Sequence, residues 1–114
     1  MTDTVKTVSQ LSPSAGITPQ TLYSVTLSYS AVIGSINICN IGSAQDFIAV
    51  SIKKFGGSDV YLYYNFMLNG YPLGITGNDV LSGTQGLTLR SQDQVNVWSL
   101  RGTSHFTLSV VEIA

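Results

Sequence analysis

The chain has 114 residues and a formal net charge of −1, from five Lys or Arg and six Asp or Glu. That length fits one domain. Only 10% of its residues are charged, well under half the share of an ordinary soluble domain. The cations Lys6, Lys53, Lys54, Arg90 and Arg101 are scattered, which excludes the clustered basic footprint that nucleic acid needs, and no stretch approaches the ~20 apolar residues of a membrane helix.

The missing charge is replaced by Ser, Thr, Asn and Gln, 38 in all. A neutral polar surface repels its neighbours weakly, which points to an assembly component. The start, Met1-Thr2-Asp3-Thr4-Val5-Lys6, lacks the basic and apolar regions of a signal peptide, so synthesis and folding in a cytoplasm are expected.

Residues 1–20 are polar and interrupted by Pro13, Gly16 and Pro19. They read as an extended N-terminal arm, with a short strand at Thr4–Val8, that contributes to association with a neighbour more than to folding. Residues 21–114 form the domain proper. From Thr21 the pattern changes to β-branched and aromatic runs bounded by turn residues. Leu22–Leu27 is the first. Ala31–Asn40 follows, with Val32, Ile36 and Ile38 expected on one face and Ile33 and Cys39 on the other. Cys39 reads as a small core residue; a single cysteine excludes an internal disulfide.

After the turn at Asn40-Ile41-Gly42-Ser43, the strand Phe47–Lys54 places Ile48, Val50 and Ile52 on one face. Gly56-Gly57-Ser58-Asp59 makes a tight connection to Val60–Leu68. Asn69–Thr84, rich in Gly, reads as a long loop with a brief strand at Val80-Leu81. Three short strands close the chain around Leu87 and Leu89, around Val95 and Val97, and around Phe106, Leu108 and Val110. No stretch keeps a helical apolar period. The expected fold is all-β, a single β-sandwich of about eight strands, of Greek-key or jelly-roll type.

Catalytic chemistry lacks a constellation. His105 is the only histidine, and no nucleophile elbow accompanies it. Asp46, Asp59, Asp79 and Asp93 stand at strand starts, where Asp closes turns on its own backbone, and their spacing matches no calcium loop. No enzyme activity, cofactor or metal is therefore expected.

The aromatic cluster is the remaining feature. On a regular strand Val60, Leu62, Tyr64 and Phe66 share one face, read as core, and Tyr61 and Tyr63 share the other. Tyr61, Tyr63, Tyr71 and Trp98 are thus candidate protein-interface residues, since Tyr combines contact area with a polar tip. Ordinary cross-strand packing and stacking on a sugar ring are the other two roles open to them.

The segments Leu22-Tyr23-Ser24-Val25 and Ala31-Val32-Ile33-Gly34-Ser35-Ile36-Asn37-Ile38-Cys39-Asn40-Ile41-Gly42 resemble the opening of small virion proteins of tailed bacteriophages. In that group an LYxVP strand precedes an AVVSSIxVCNxG strand. Tyr61-Leu62-Tyr63-Tyr64, Leu87-Thr88-Leu89, Asp93-Gln94-Val95-Asn96-Val97, Phe106-Thr107-Leu108 and Glu112-Ile113 come in the group's order. Thr26 stands where the group has Pro, and 69–83 is longer than usual. The resemblance implies a non-enzymatic β-sandwich component of the virion, made in the host cytoplasm. Its partners would be other virion subunits, capsid or neck and tail proteins, and further copies of itself as a homo-oligomer. Head decoration or cement is the first placement implied, with neck, tail or baseplate next. The alternative is a receptor- or carbohydrate-binding module of a tail appendage, with Tyr61, Tyr63 and Trp98 as the sugar platform.

Overall fold

A computed structural model describes residues 4–70, 78–80 and 84–114, with side chains for 7–70 and 84–114. Its strands are β1 (Thr4–Leu11), β2 (Gln20–Ser24), β3 (Ser30–Asn40), β4 (Asp46–Lys53), β5 (Asp59–Leu68), β6 (Asn78–Val80), β7 (Thr88–Leu89), β8 (Gln94–Ser99) and β9 (Ser104–Ile113). Sheet 1 has the order β1-β9-β3-β6, with β7 also paired to β3; sheet 2 has the order β2-β8-β4-β5. Every strand pair is antiparallel.

The pairings are nested. β1 meets β9, β2 meets β8, β3 meets β6 and β7, and β4 meets β5. This is one long hairpin rolled on itself, and the pairs β3–β9 and β4–β8 stitch its turns into two sheets. The sandwich is therefore of the jelly-roll type.

Alternation decides what lies between the sheets. Sheet 1 contributes Ile33, Ile36, Ile38, Phe106, Leu108 and Val110; sheet 2 contributes Leu22, Ile48, Val50, Ile52, Val95 and Val97. The core faces expected for β4, β8 and β9 are those observed. In β3 the expected division fails, because Ile33, Ile36 and Ile38 are all buried. The cause is a bulge: Ile33 pairs with Val110 and Ser35 with Ser109, leaving Gly34 as an extra residue. One added residue reverses the phase of the strand. Val32 and Cys39 consequently point outward and are only half-buried, so Cys39 is not the core residue its neighbours implied. It stands opposite the exposed His105 of β9 on the outer face of sheet 1.

Residues 4–11 are extended, but in a different role from the arm read there. All eight residues of β1 pair with β9, Leu11 packs on the core, and the Ser9 hydroxyl donates to the Leu22 carbonyl at 2.6 Å. The next segment is also held: Pro13 is buried, Ala15 bridges to Ser99, and the Gly16 amide reaches the Ser99 carbonyl at 3.1 Å. Gly102 permits this approach. Its φ is +72°, and a Cβ there would lie 2.7 Å from the Ala15 nitrogen.

Buried polar side chains tie the loops at each end. Asp46, fully buried, accepts from the Arg101 amide at 2.8 Å, the Phe47 amide at 2.9 Å, the Ser104 hydroxyl at 2.5 Å and the Ser99 hydroxyl. Asn40 donates to the Ala44 and Asn69 carbonyls and accepts from the Gly42 amide and the Thr103 hydroxyl. At the opposite end Asp93 accepts from the Arg90 amide at 2.9 Å, the Phe55 amide at 3.0 Å and the Lys54 ammonium at 3.0 Å. Burial pushes the Asp93 carboxyl up, but the Arg90 amide, the Lys54 bond and charge and the Phe55 amide together hold it below its ordinary value. Nearby, the Tyr23 phenol donates to Glu112 at 2.6 Å, clasping β2 to β9. Burial first, then that bond and the Glu112 charge, raise the phenol above its ordinary value.

Candidate protein interface

The outer faces of the two sheets differ in chemistry. On sheet 1 the outward positions around the bulge mix the neutral polar Ser35, Asn37, Thr107 and Ser109 with the small aliphatic Val8 and Val32, and include no aromatic ring. On sheet 2, alternation turns Phe47 and Ala49 outward, since Ile48 and Val50 face the core. Phe47 pairs with Met67, Ala49 with Trp98 and Ser51 with Tyr61. An apolar and aromatic face results, concentrated where β5 forms the edge of the sheet.

β5 departs from simple alternation at two points. Ile48 pairs with Phe66 but Val50 with Tyr63, and Ser51 then pairs with Tyr61. The extra residues fall in the Tyr64–Asn65 stretch, where Asn65 has φ +56°, and at Leu62. Each extra residue inverts the facing of the strand beyond it. Tyr63 and Phe66 therefore both turn inward, pack on the core and meet edge to face at 5.6 Å. Val60, Leu62 and Tyr64, read from the sequence as core, are exposed at 65%, 40% and 64%.

The four candidate residues thus divide. Tyr61 is on the exposed face. Tyr63 packs inward. Trp98 belongs to the same cluster but is buried, 2% exposed, so it forms the floor and not the contact surface. Tyr71 lies outside the described residues. The sequence reading missed Tyr64, which stands at the centre: its ring meets Tyr61 edge to face at 4.9 Å and Trp98 at 5.7 Å. Met67, 48% exposed, extends the patch. The Gly-free, charge-free run from Val60 to Leu68 is the sequence signal that marks this strand as unusual for a sheet edge.

Polar groups flank the aromatic cluster. Asp59 accepts from the Ser51 hydroxyl at 2.8 Å and the Asn96 amide at 2.7 Å, which absorbs the one carboxylate on β5. The side-chain Oδ1 of Asn96 is buried without a hydrogen-bond partner among the described residues. The rings themselves do not make a flat platform, since Tyr61 and Tyr64 are inclined at 80° and Trp98 is covered. A separate cleft of about 490 Å³ opens at the Asp93 end, lined by Ser24, Thr26, Lys53, Lys54, Gln92 and Gln94 among others. It is polar and shallow, and Lys54 in its wall is already held by Asp93.

No family model matches the chain, and no curated protein matches it in sequence. Among solved structures it is similar to a chain of infectious bursal disease virus strain Gt (TM-score 0.46, 12% identity), of the Gx strain of that virus (0.48, 11%) and of its VP2 subviral particle (0.41, 13%). Each match covers 99% of this chain but only 31–32% of the other, so the chain spans about a third of the length of these proteins. The superpositions are loose.

Proposed function

We propose that this protein is a non-enzymatic structural component of a tailed-bacteriophage virion that works by binding other virion subunits. The observation that carries this reading is the outer face of sheet 2, where Tyr64, Tyr61 and Met67 stand exposed beside the buried Trp98 of β8, on an edge strand that carries no charge from Val60 to Leu68. Soluble monomers rarely leave such contiguous apolar surface uncovered, and aromatic side chains seated on packed neighbours are the usual anchors of protein contacts. The resemblance of Leu22–Gly42 and the later strand motifs to small phage virion proteins supports the setting. Decoration or cementing of the head is the first placement, and a neck, tail or baseplate position the next. Repetition by the symmetry of the particle would turn a modest contact into a durable one.

The test is incorporation. Tagged chain supplied during particle assembly is expected to co-purify with the virions through a density gradient. Tyr64→Arg, which folds because the site is exposed, is expected to incorporate at about a tenth of that level or less, since losing a central anchor commonly costs about 2 kcal/mol. Absence of the wild-type chain from purified particles overturns the reading.

A further inference from the structure

We infer that the loop end of the sandwich around Phe55 binds an acidic segment of a partner protein, an extended stretch whose Asp or Glu side chains reach Lys53, Lys54 and Arg90. This surface lies apart from the outer face of sheet 2, and the inference does not rest on the reading of that face.

Charge is the first argument. Arg90 is far from Lys53 and Lys54 in the sequence, yet the fold gathers these three of the five Lys and Arg residues at one end. They line two clefts of about 490 Å³ each, which share Lys54 and Phe55 as a common wall. Among the described residues the one carboxylate lining either cleft is Asp93. Its side chain is 3% exposed and is taken up by Lys54 and two backbone amides. Lys54 itself is 59% exposed, and an ion pair that open to water is weak enough to be shared. Lys53 and Arg90 have no carboxylate within ion-pair distance among the described residues. Asp59 stands opposite Lys53 in register, but its carboxylate accepts from Ser51 and Asn96. Glu112 is likewise engaged by Tyr23 and Thr26. An anion approaching the clefts therefore meets the cations first.

Shape selects the class of anion. A compact ion such as phosphate fits one cleft and leaves the other cations unused. A ligand that meets both Lys53 and Arg90 must cross the Phe55 ring, which is 61% exposed. An extended peptide makes that crossing, because side chains two residues apart share a face and stand about 6–7 Å from each other. Leu27, 67% exposed, adds apolar contact beside the first cleft. Gln92 and Gln94 in the same wall offer donors and acceptors to peptide groups. Three cations fall well short of the roughly six to ten phosphates that nucleic-acid binders commonly engage.

The site is also held in place before any ligand arrives. The Val25 amide donates to the Asp93 carbonyl at 2.9 Å, and the Gln92 amide to the Val25 carbonyl at 3.0 Å. The Phe55 amide donates to the Asp93 carboxylate and the Ser28 amide to the Ser91 hydroxyl, both at 3.0 Å. The three connections that build the clefts are thus laced to one another, and binding has little left to order.

A chemical-shift titration of the isotope-labelled full chain tests this. The probes are a blocked Gly-Glu-Gly-Glu-Gly-Glu-Gly peptide, its Gln counterpart, tri-galacturonate with the same number of carboxylates, and inorganic phosphate. The Glu peptide is expected to shift the amides of residues 54–57 and 90–94 saturably, and the Gln peptide is not. Raising the ionic strength from about 0.02 M to about 0.3 M is expected to weaken binding roughly tenfold or more. Lys53→Gln and Arg90→Gln are each expected to weaken it about threefold, and together about tenfold, with unchanged circular dichroism. Arg101→Gln, near Asp46 at the other end, leaves it unaltered. The wild-type map decides without any variant: no saturable shift, shifts centred elsewhere, or equal binding of the Gln peptide overturns the inference. Tighter binding of phosphate or tri-galacturonate than of the Glu peptide overturns the assignment to a protein segment.

Discussion

Single residues carry the ends of this sandwich. Asp46 answers four donors in a site closed to water, one from the next residue of its own strand and three from the β8–β9 connection and the strand ends beside it. Asp46→Ala leaves those donors buried and unpaired, and is expected to cost about 3 kcal/mol or more in urea unfolding. Asp93 adds a pH dependence with a definite sign. Its folded carboxyl is held below the ordinary value of about 3.9, so its contribution is complete above that value and is lost as pH falls through the lower folded one. Asp93→Asn is therefore expected to lower Tm near neutrality, and the gap from the wild type is expected to narrow below pH about 4. A gap that is constant with pH would show that the carboxylate charge plays no part. The turn-closing role of these two residues was legible in the sequence, because Asp beside a strand start has few other uses. Burial of Trp98 was not. On a strand it alternates with Val95 and Val97 and so must face outward, and the contact with the Tyr64 ring that accompanies its burial depends on the bulged course of β5.

At the scale of elements, β5 and β3 show where reading by alternation breaks down. β4, β8 and β9 are unbroken along their core-facing stretches, and their faces follow from period two alone. β3 carries Gly34 at its bulge, a residue type that signals one, and the phase change there could be read with that in mind. β5 offers no such sign, since Asn65 adopts its positive φ without Gly, and its faces are set by pairing with β4. The consequence is measurable. Leu62→Asp, which a regular strand would bury, is expected to cost under about 1 kcal/mol because the side chain is 40% exposed. Phe66→Ala, which opens the core beside Tyr63, is expected to cost about 2–3 kcal/mol. The reverse order would restore the regular register. For β1, removal of residues 1–11 strips the whole partner from one edge of β9. The truncated chain is expected to melt well below the intact one, by differential scanning calorimetry. An unchanged melt would return the segment to the role of a free arm.

For the whole molecule, the all-β class and sandwich architecture followed from strand spacing and turn residues, whereas strand order did not, because nested pairing joins residues far apart in the chain. That nesting has a consequence for how the chain can be cut and rejoined. Thr4 sits directly across from Ile113, so the two chain ends of the roll are neighbours in space. A short flexible linker joining them, with a new opening cut in the exposed Gly56-Gly57 turn, would make the outermost pair of the roll a local hairpin and the innermost one a distant contact. Such a circular permutant is expected to keep the same sheets and the same aromatic face. Its folding would start from the opposite end of the nest, with β1 and β9 closing first, and stopped-flow kinetics on the permutant would show whether the route had been turned inside out.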